Sequence, residues 1–170
     1  VNFVEIELAD DKLRWMELEE RKKYNPPFWS TGLLKTRTWR SRELGMEYLT
    51  WASQLTYNSD WGVGEDHENY GKLTPQALNA LEIIKLYTWW KDVYPARPDP
   101  GDLSGIDAYH DTKAAENGGK LRFHHNEKTE EEREHVKALL NENARIETMY
   151  TDEDTEMMIR LIKIRDGLWT

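Results

Sequence analysis

Cysteine is absent from the 170 residues. A disulfide framework, a zinc–thiolate site and a cysteine nucleophile are thereby excluded, and the absence fits a reducing compartment. No apolar run approaches the ~18 residues of a membrane span. Val1 to Asp10 is too acidic and too poor in apolar side chains to read as a signal peptide. The expectation is a soluble cytoplasmic protein with no membrane contact. Basic residues are outnumbered, 23 Lys and Arg against 32 Asp and Glu, for a formal net charge of −9. General nucleic-acid binding needs a basic footprint, which this balance lacks. The short basic stretch Lys35, Arg37, Arg40 and Arg42 reads as a solvated loop and helix start. Also missing are a phosphate-binding glycine loop, a dinucleotide fingerprint, a nucleophile elbow and a zinc-protease helix motif.

What remains is enough chain for one domain over residues 1–170 that folds without a metal or covalent staple. Phe is scarce, with 3 copies, whereas Trp and Tyr have 8 each. Both carry an apolar body and a polar tip, so they suit core edges that meet water, and interfaces.

Hydrophobic spacing predicts a mainly α fold: a bundle of about five helices with one or two short β-strands. Val4, Ile6 and Leu8 alternate with Glu5 and Glu7, the period of a half-exposed strand. Its expected partner is Lys120–Phe123 or a second copy of the chain, so a homo-oligomer is one expectation. A first helix is expected from about Asp11 to Tyr24, with Leu13, Trp15, Met16 and Leu18 on its apolar side and Pro26–Pro27 beyond its end. A second runs from about Trp39 to Leu55, with Leu44, Tyr48, Trp51, Ala52 and Leu55 as its stripe. Thr74–Pro75 opens a third, apolar on most sides and therefore central. Tyr94 to Gly105 holds three prolines and two glycines and reads as a rigid non-helical crossing, the one candidate domain boundary. A short helix then ends at Asn117-Gly118-Gly119. Thr129 with Glu132 forms a capping box for a helix to about Tyr150. Thr151–Asp152 opens a last, antiparallel one, with Met157, Leu161, Ile164 and Leu168 as its stripe.

Four constellations bear on chemistry. Glu132 and His135 form a Glu-x-x-His pair, and Asp107 with His110 repeats the spacing one helix earlier. Residues three and four apart share a helix face, and such pairs build dinuclear metal centres in helical bundles. With Glu131, these residues are the candidate ligands of a divalent metal. Glu130-Glu131-x-x-Glu134 is also similar to the acidic half-motif of the all-helical nucleotide pyrophosphohydrolases. The second half of that motif is absent, because Glu147 is followed at three residues by Tyr150 and Glu153 by Glu156. The acidic loop from Asn58 fails the calcium-loop test, which wants Gly at its sixth position and Glu at its twelfth, where Val63 and Asn69 stand. His124–His125 are adjacent, and on a strand adjacent side chains point to opposite faces. Against a catalytic reading stand Trp29, Trp39 and Trp61, in or beside expected loops, where aromatics anchor protein partners.

The run from Tyr87 to Pro100, with its Trp89-Trp90 and Tyr94-Pro95, and the ending Glu153 to Thr170 resemble small uncharacterised proteins of tailed bacteriophages. That resemblance implies a viral protein acting in the cytoplasm of an infected bacterial cell, and assigns no catalytic residue. The leading expectation is thus a small helical accessory protein that works through protein–protein contacts. The alternative is a metal-dependent enzyme, pyrophosphohydrolase-like or with a di-metal carboxylate site, on a helical bundle.

Overall fold

The computed structural model describes residues 1–24, 40–118 and 129–168, and of Trp61 the backbone alone. The chain is mainly helical. Among the described residues no strand forms, and no helix is long and apolar enough to cross a membrane. Two compact units are distinguished, Val1–Pro95 with Arg160–Thr170, and Ala96–Ile159. One division falls at Pro95–Ala96, inside the proline-rich crossing.

In the first unit, Phe3–Leu8 is a π-helical segment that runs directly into α1 (Ala9–Trp15). This corrects the expected strand. Val4 and Leu8 satisfy a two-residue period, but they also lie four apart, and the stripe continues through Ala9 to Leu13, all buried. That longer helical stripe decides the conformation. The expected strand partner, Lys120–Phe123, lies outside the described residues. Met16 and Glu17 then adopt extended backbone, so the single expected helix to Tyr24 is broken into α1, α2 (Leu18–Arg21) and a 3-10 turn at Lys22–Tyr24. No Gly or Pro demands that break.

Helix α3 (Arg42–Ala52) is capped by Ser41, whose Oγ accepts from Leu44 N–H at 3.2 Å. It packs against α1, Phe3–Leu8 and α4 (Pro75–Thr88). Its buried seam is Leu44, Gly45, Leu49 and Ala52, rotated from the expected stripe, so Tyr48 and Trp51 flank the seam. Helix α4 begins as expected, with Thr74 Oγ1 accepting from Ala77 N–H at 3.1 Å and Pro75 at the first turn. It is not apolar-buried all round, however. Ala77, Ala80, Ile83, Leu86 and Tyr87 are buried, while Leu78 and Leu81 are exposed. Its end widens into a π turn, Trp89–Val93, followed by a 3-10 turn, Tyr94–Ala96. Between α3 and α4 the chain makes a long loop, closed at its base by an antiparallel bridge between Thr56 and Leu73.

Glu5 is the buried charge of this unit. Tyr87 Oη donates to its Oε1 at 2.7 Å, Lys91 Nζ lies 3.0 Å from the same oxygen, and Arg40 approaches Oε2 at 3.6 Å. Burial opposes its ionisation, but the Tyr87 hydroxyl, Lys91 and Arg40 outweigh that and hold the carboxyl below its usual range. Tyr87 responds in the opposite sense: burial first, then the Glu5 carboxylate, push its phenol up. A phenol with a raised native pKa contributes stability below its unfolded pKa of about 10 and loses it as pH rises toward the folded value. Stability is therefore expected to fall above about pH 10, and Tyr87→Phe to flatten that alkaline limb while costing about 1 kcal/mol at neutral pH for the lost hydrogen bond. Denaturant unfolding from pH 7 to 11 checks this. An unchanged alkaline slope in the variant would remove Tyr87 as its source.

In the second unit the crossing is not wholly irregular. Asp99 accepts from Gly101 N–H at 2.8 Å and Pro100 opens the short helix α5 (Pro100–Ser104). Proline there is pre-set for a first turn. Gly105, at φ 80°, joins α5 to α6 (Ile106–Glu116), a left-handed conformation that suits glycine. Helix α7 (Glu130–Ile164) is one continuous rod rather than two helices. Thr151, which looked like a new start, is satisfied inside it: like Thr148 and Thr155, it bonds back to the carbonyl four residues earlier, at 2.8–2.9 Å. Val136 and Ile146 are its buried apolar residues in this unit; its last residues, from Arg160, belong to the first unit, where Ile164 is buried and Leu161 exposed.

Candidate partner-binding site

The metal-ligand candidates meet on α6 and α7, within the second unit. The ring of Tyr109 lies edge-on to His110 (centroids 5.9 Å apart) and to His135 (6.2 Å). Glu132 receives Lys113 Nζ at 3.1 Å, and the same ammonium reaches Glu116 at 3.2 Å. Lys113 also lies 5.7 Å from the Tyr109 ring centre. Asp107 turns its carboxylate toward Gly101, where an added Cβ would come within 2.2 Å of Oδ2. Glu131 is exposed. The spacing brings both Asp/Glu-x-x-His pairs to α6 and α7, but the Tyr109 ring lies against both histidines and Lys113 engages Glu132. Among the described residues no group of three His, Asp or Glu is placed to hold a metal ion. Thermal melting with Mn²⁺, Mg²⁺ or Zn²⁺ checks the metal reading: a ligand at about 100 times its Kd would add about 2.7 kcal/mol, so a rise of several degrees would restore it.

The partner-anchor candidates Trp29 and Trp39, like His124 and His125, lie outside the described residues. The backbone of Trp61 sits in a 3-10 turn, Ser59–Trp61, capped by Asn58. Of the exposed aromatics in the first unit, Tyr70 lies in the loop between α3 and α4, Trp90 and Tyr94 lie in the turns after α4, and two stand on α-helices. Trp15, the last residue of α1, is 87% exposed, and Trp51 on α3 is 52% exposed. With Tyr48 and Lys12 they line a cleft of about 510 Å³. The Tyr48 and Trp51 rings stand 5.6 Å apart at a tilt of 60°. A second cleft of about 320 Å³ also has Lys12 and Trp15 on its walls and is bordered by Glu17, Glu20, Glu47 and Tyr24.

Each wall follows from local structure. The break after Trp15 leaves its indole at a helix end, with no next turn to cover it. On α3, Gly45 lets the helix press its Leu44–Leu49–Ala52 seam on the core, which carries Tyr48 and Trp51 to the flank. Beneath them lies the core cluster of Ala9, Leu13 and Leu44, with Met16 and Tyr24 packed against it. Tyr24 Oη donates to Glu43 at 3.4 Å. Burial, then the Glu43 and Glu47 carboxylates, hold its phenol above the ordinary value.

Chemically, this site offers indole and phenol faces, with the Lys12–Glu47 ion pair at its edge. Sequence reading placed Trp15 and Trp51 on apolar helix sides. The available signal was Leu49, which with Leu44 and Ala52 makes a competing seam and leaves Trp51 beside it. No protein-family model, curated protein or solved structure matches the chain.

Proposed function

We propose that the protein is a helical accessory protein that acts by binding another protein through the Trp15–Tyr48–Trp51 cleft. The observation that carries this is the 87% exposure of Trp15 beside a half-exposed Trp51. Large rigid aromatics give contact area at low entropic cost and dominate protein interfaces. The faces they leave in water contribute nothing to the fold, so their burial is available to a partner. The resemblance of Tyr87–Pro100 and Glu153–Thr170 to tailed-phage proteins supports a setting in the cytoplasm of an infected bacterium, where that partner would be met.

A photo-crosslinking amino acid placed at Tyr48 tests the reading. In bacterial lysate it is expected to trap a discrete adduct that disappears when Trp15 and Trp51 are both changed to Ala. Because Trp15 is exposed, Trp15→Ala alone should shift stability by no more than about 0.5 kcal/mol, and an unchanged melting midpoint of the double variant shows that loss of the adduct reports binding and not unfolding. An adduct that persists in the double variant, or none at all, overturns the proposal.

A further inference from the structure

We infer that the segment this cleft receives is basic and apolar: a partner peptide that sets an aliphatic or aromatic anchor on Trp15, Tyr48 and Trp51 and turns Lys or Arg side chains toward Glu17 and Glu20. The inference rests on the binding role proposed above and adds the chemistry of the occupant. The larger cleft supplies an apolar floor, and the smaller one, sharing Trp15 and Lys12 with it, supplies carboxylates. Glu47 is already engaged by Lys12 at 3.9 Å, and Glu43 accepts from Tyr24. Glu17 and Glu20 border the same space and hold no ion pair among the described residues. Among the described residues Lys23 is the only other base lining it, so described carboxylates outnumber ammonium groups there. The raised phenol of Tyr24, shifted first by burial and then by Glu43 and Glu47, reports the same negative surroundings.

Two physical effects then select one sign of partner. A cation near Glu17 and Glu20 gains Coulomb attraction, and one lying over an indole or phenol face gains further from the ring quadrupole. An acidic segment would meet repulsion at the carboxylates and offer nothing to the ring faces. The chain's net charge of −9 steers encounter in the same direction.

Calorimetric titration of the full chain with two synthetic amphipathic peptides tests this, one built of Leu and Lys, the other of Leu and Glu. The Leu/Lys peptide is expected to bind, with affinity falling as salt is raised. Binding should weaken about tenfold or more in Trp15→Ala/Trp51→Ala, the scale of losing an interface anchor. It should weaken severalfold in Glu17→Gln/Glu20→Gln, a surface change that leaves the apolar floor intact. The Leu/Glu peptide is expected not to bind. Equal binding of the Leu/Lys peptide to all variants, which is attachment to the acidic surface at large, overturns the inference, as does failure to bind at all. Binding of the Leu/Glu peptide that depends on Trp15 and Trp51 would overturn the basic-partner inference while leaving the binding cleft in place. Absence of the photo-crosslink in the unaltered chain, or its persistence in the double Trp variant, would instead remove both.

Discussion

Gly45→Ala is expected to destabilise the first unit by about 3 kcal/mol, the upper range for overpacking a close-packed core. A Cβ built on Gly45 would lie 2.0 Å from the Val4 carbonyl oxygen and 2.8 Å from its carbonyl carbon. Both are backbone atoms, so no side-chain rotamer relieves the clash. Either α3 withdraws from Phe3–Leu8, uncovering Val4, Leu44 and Leu49, or the π-helical segment distorts and Glu5 is displaced from Tyr87 and Lys91. The usual gain of alanine over glycine in a helix, about 1 kcal/mol, is too small to compensate. A fall in melting midpoint of roughly 10 °C should follow. Gly64→Ala is the matched control, because nothing lies within 4 Å of its Cβ position. If the two variants melt together, the close approach of α3 to the N-terminal segment is wrong.

Arg97→Ala should cost about 2 kcal/mol in the second unit. Its guanidinium, with the side chain 12% exposed, reaches Glu153 and Asp154 at 2.6 Å each and lies 4.8 Å from the Tyr150 ring centre. Tyr150 Oη in turn donates to Pro98 O at 3.1 Å. Removing one side of a wholly buried ion pair costs roughly 3–5 kcal/mol. Here the two carboxylates keep 37% and 40% of their side-chain exposure and regain water, which lowers the figure. Arg97→Lys should fall between, since an ammonium keeps the charge but not the two-pronged geometry. Amide hydrogen exchange near Pro98–Gly101 and Glu153–Asp154 is the direct measurement. A loss of protection confined to one of these two segments would show that the clasp does not join them.

Local rules with a stated chemistry were legible in the sequence. The Thr74–Pro75 start holds, as does the Thr129 cap, whose Oγ1 accepts from Glu132 N–H at 3.1 Å. The turn at Asn117-Gly118 holds too, with Gly118 at φ 68°. Choices between two periods or two faces were not legible. Val4 and Leu8 fit either a strand or a helix, and only Glu5's distant partners, Tyr87 and Lys91, explain why Glu5 turns inward. The α3 seam was misjudged by one position because Gly45, with no side chain, carries no hydrophobic signal yet makes the closest contact. The aromatic cleft was missed for the same reason: Trp15 and Trp51 look like core residues until the seam is known. Thr151–Asp152 resembled a helix start, yet threonines also back-bond within a continuing helix, and composition does not separate the two uses.

The bridge between Thr56 and Leu73 has a practical consequence. It is flanked by Tyr57 N–H to Lys72 O (3.0 Å), Gly71 N–H to Tyr57 O (2.8 Å) and Thr74 N–H to Leu55 O (3.0 Å), so the loop it closes is cinched independently of what its tip contains. At the tip, nothing crowds the Cβ positions of Gly62 or Gly64. Doubling the length of a flexible loop costs only about 0.6 kcal/mol of closure entropy. The stretch around Gly64 is therefore a natural port for grafting an epitope or a fluorescent reporter. The neck would keep the graft's strain from the Thr74 cap and from the helix it starts.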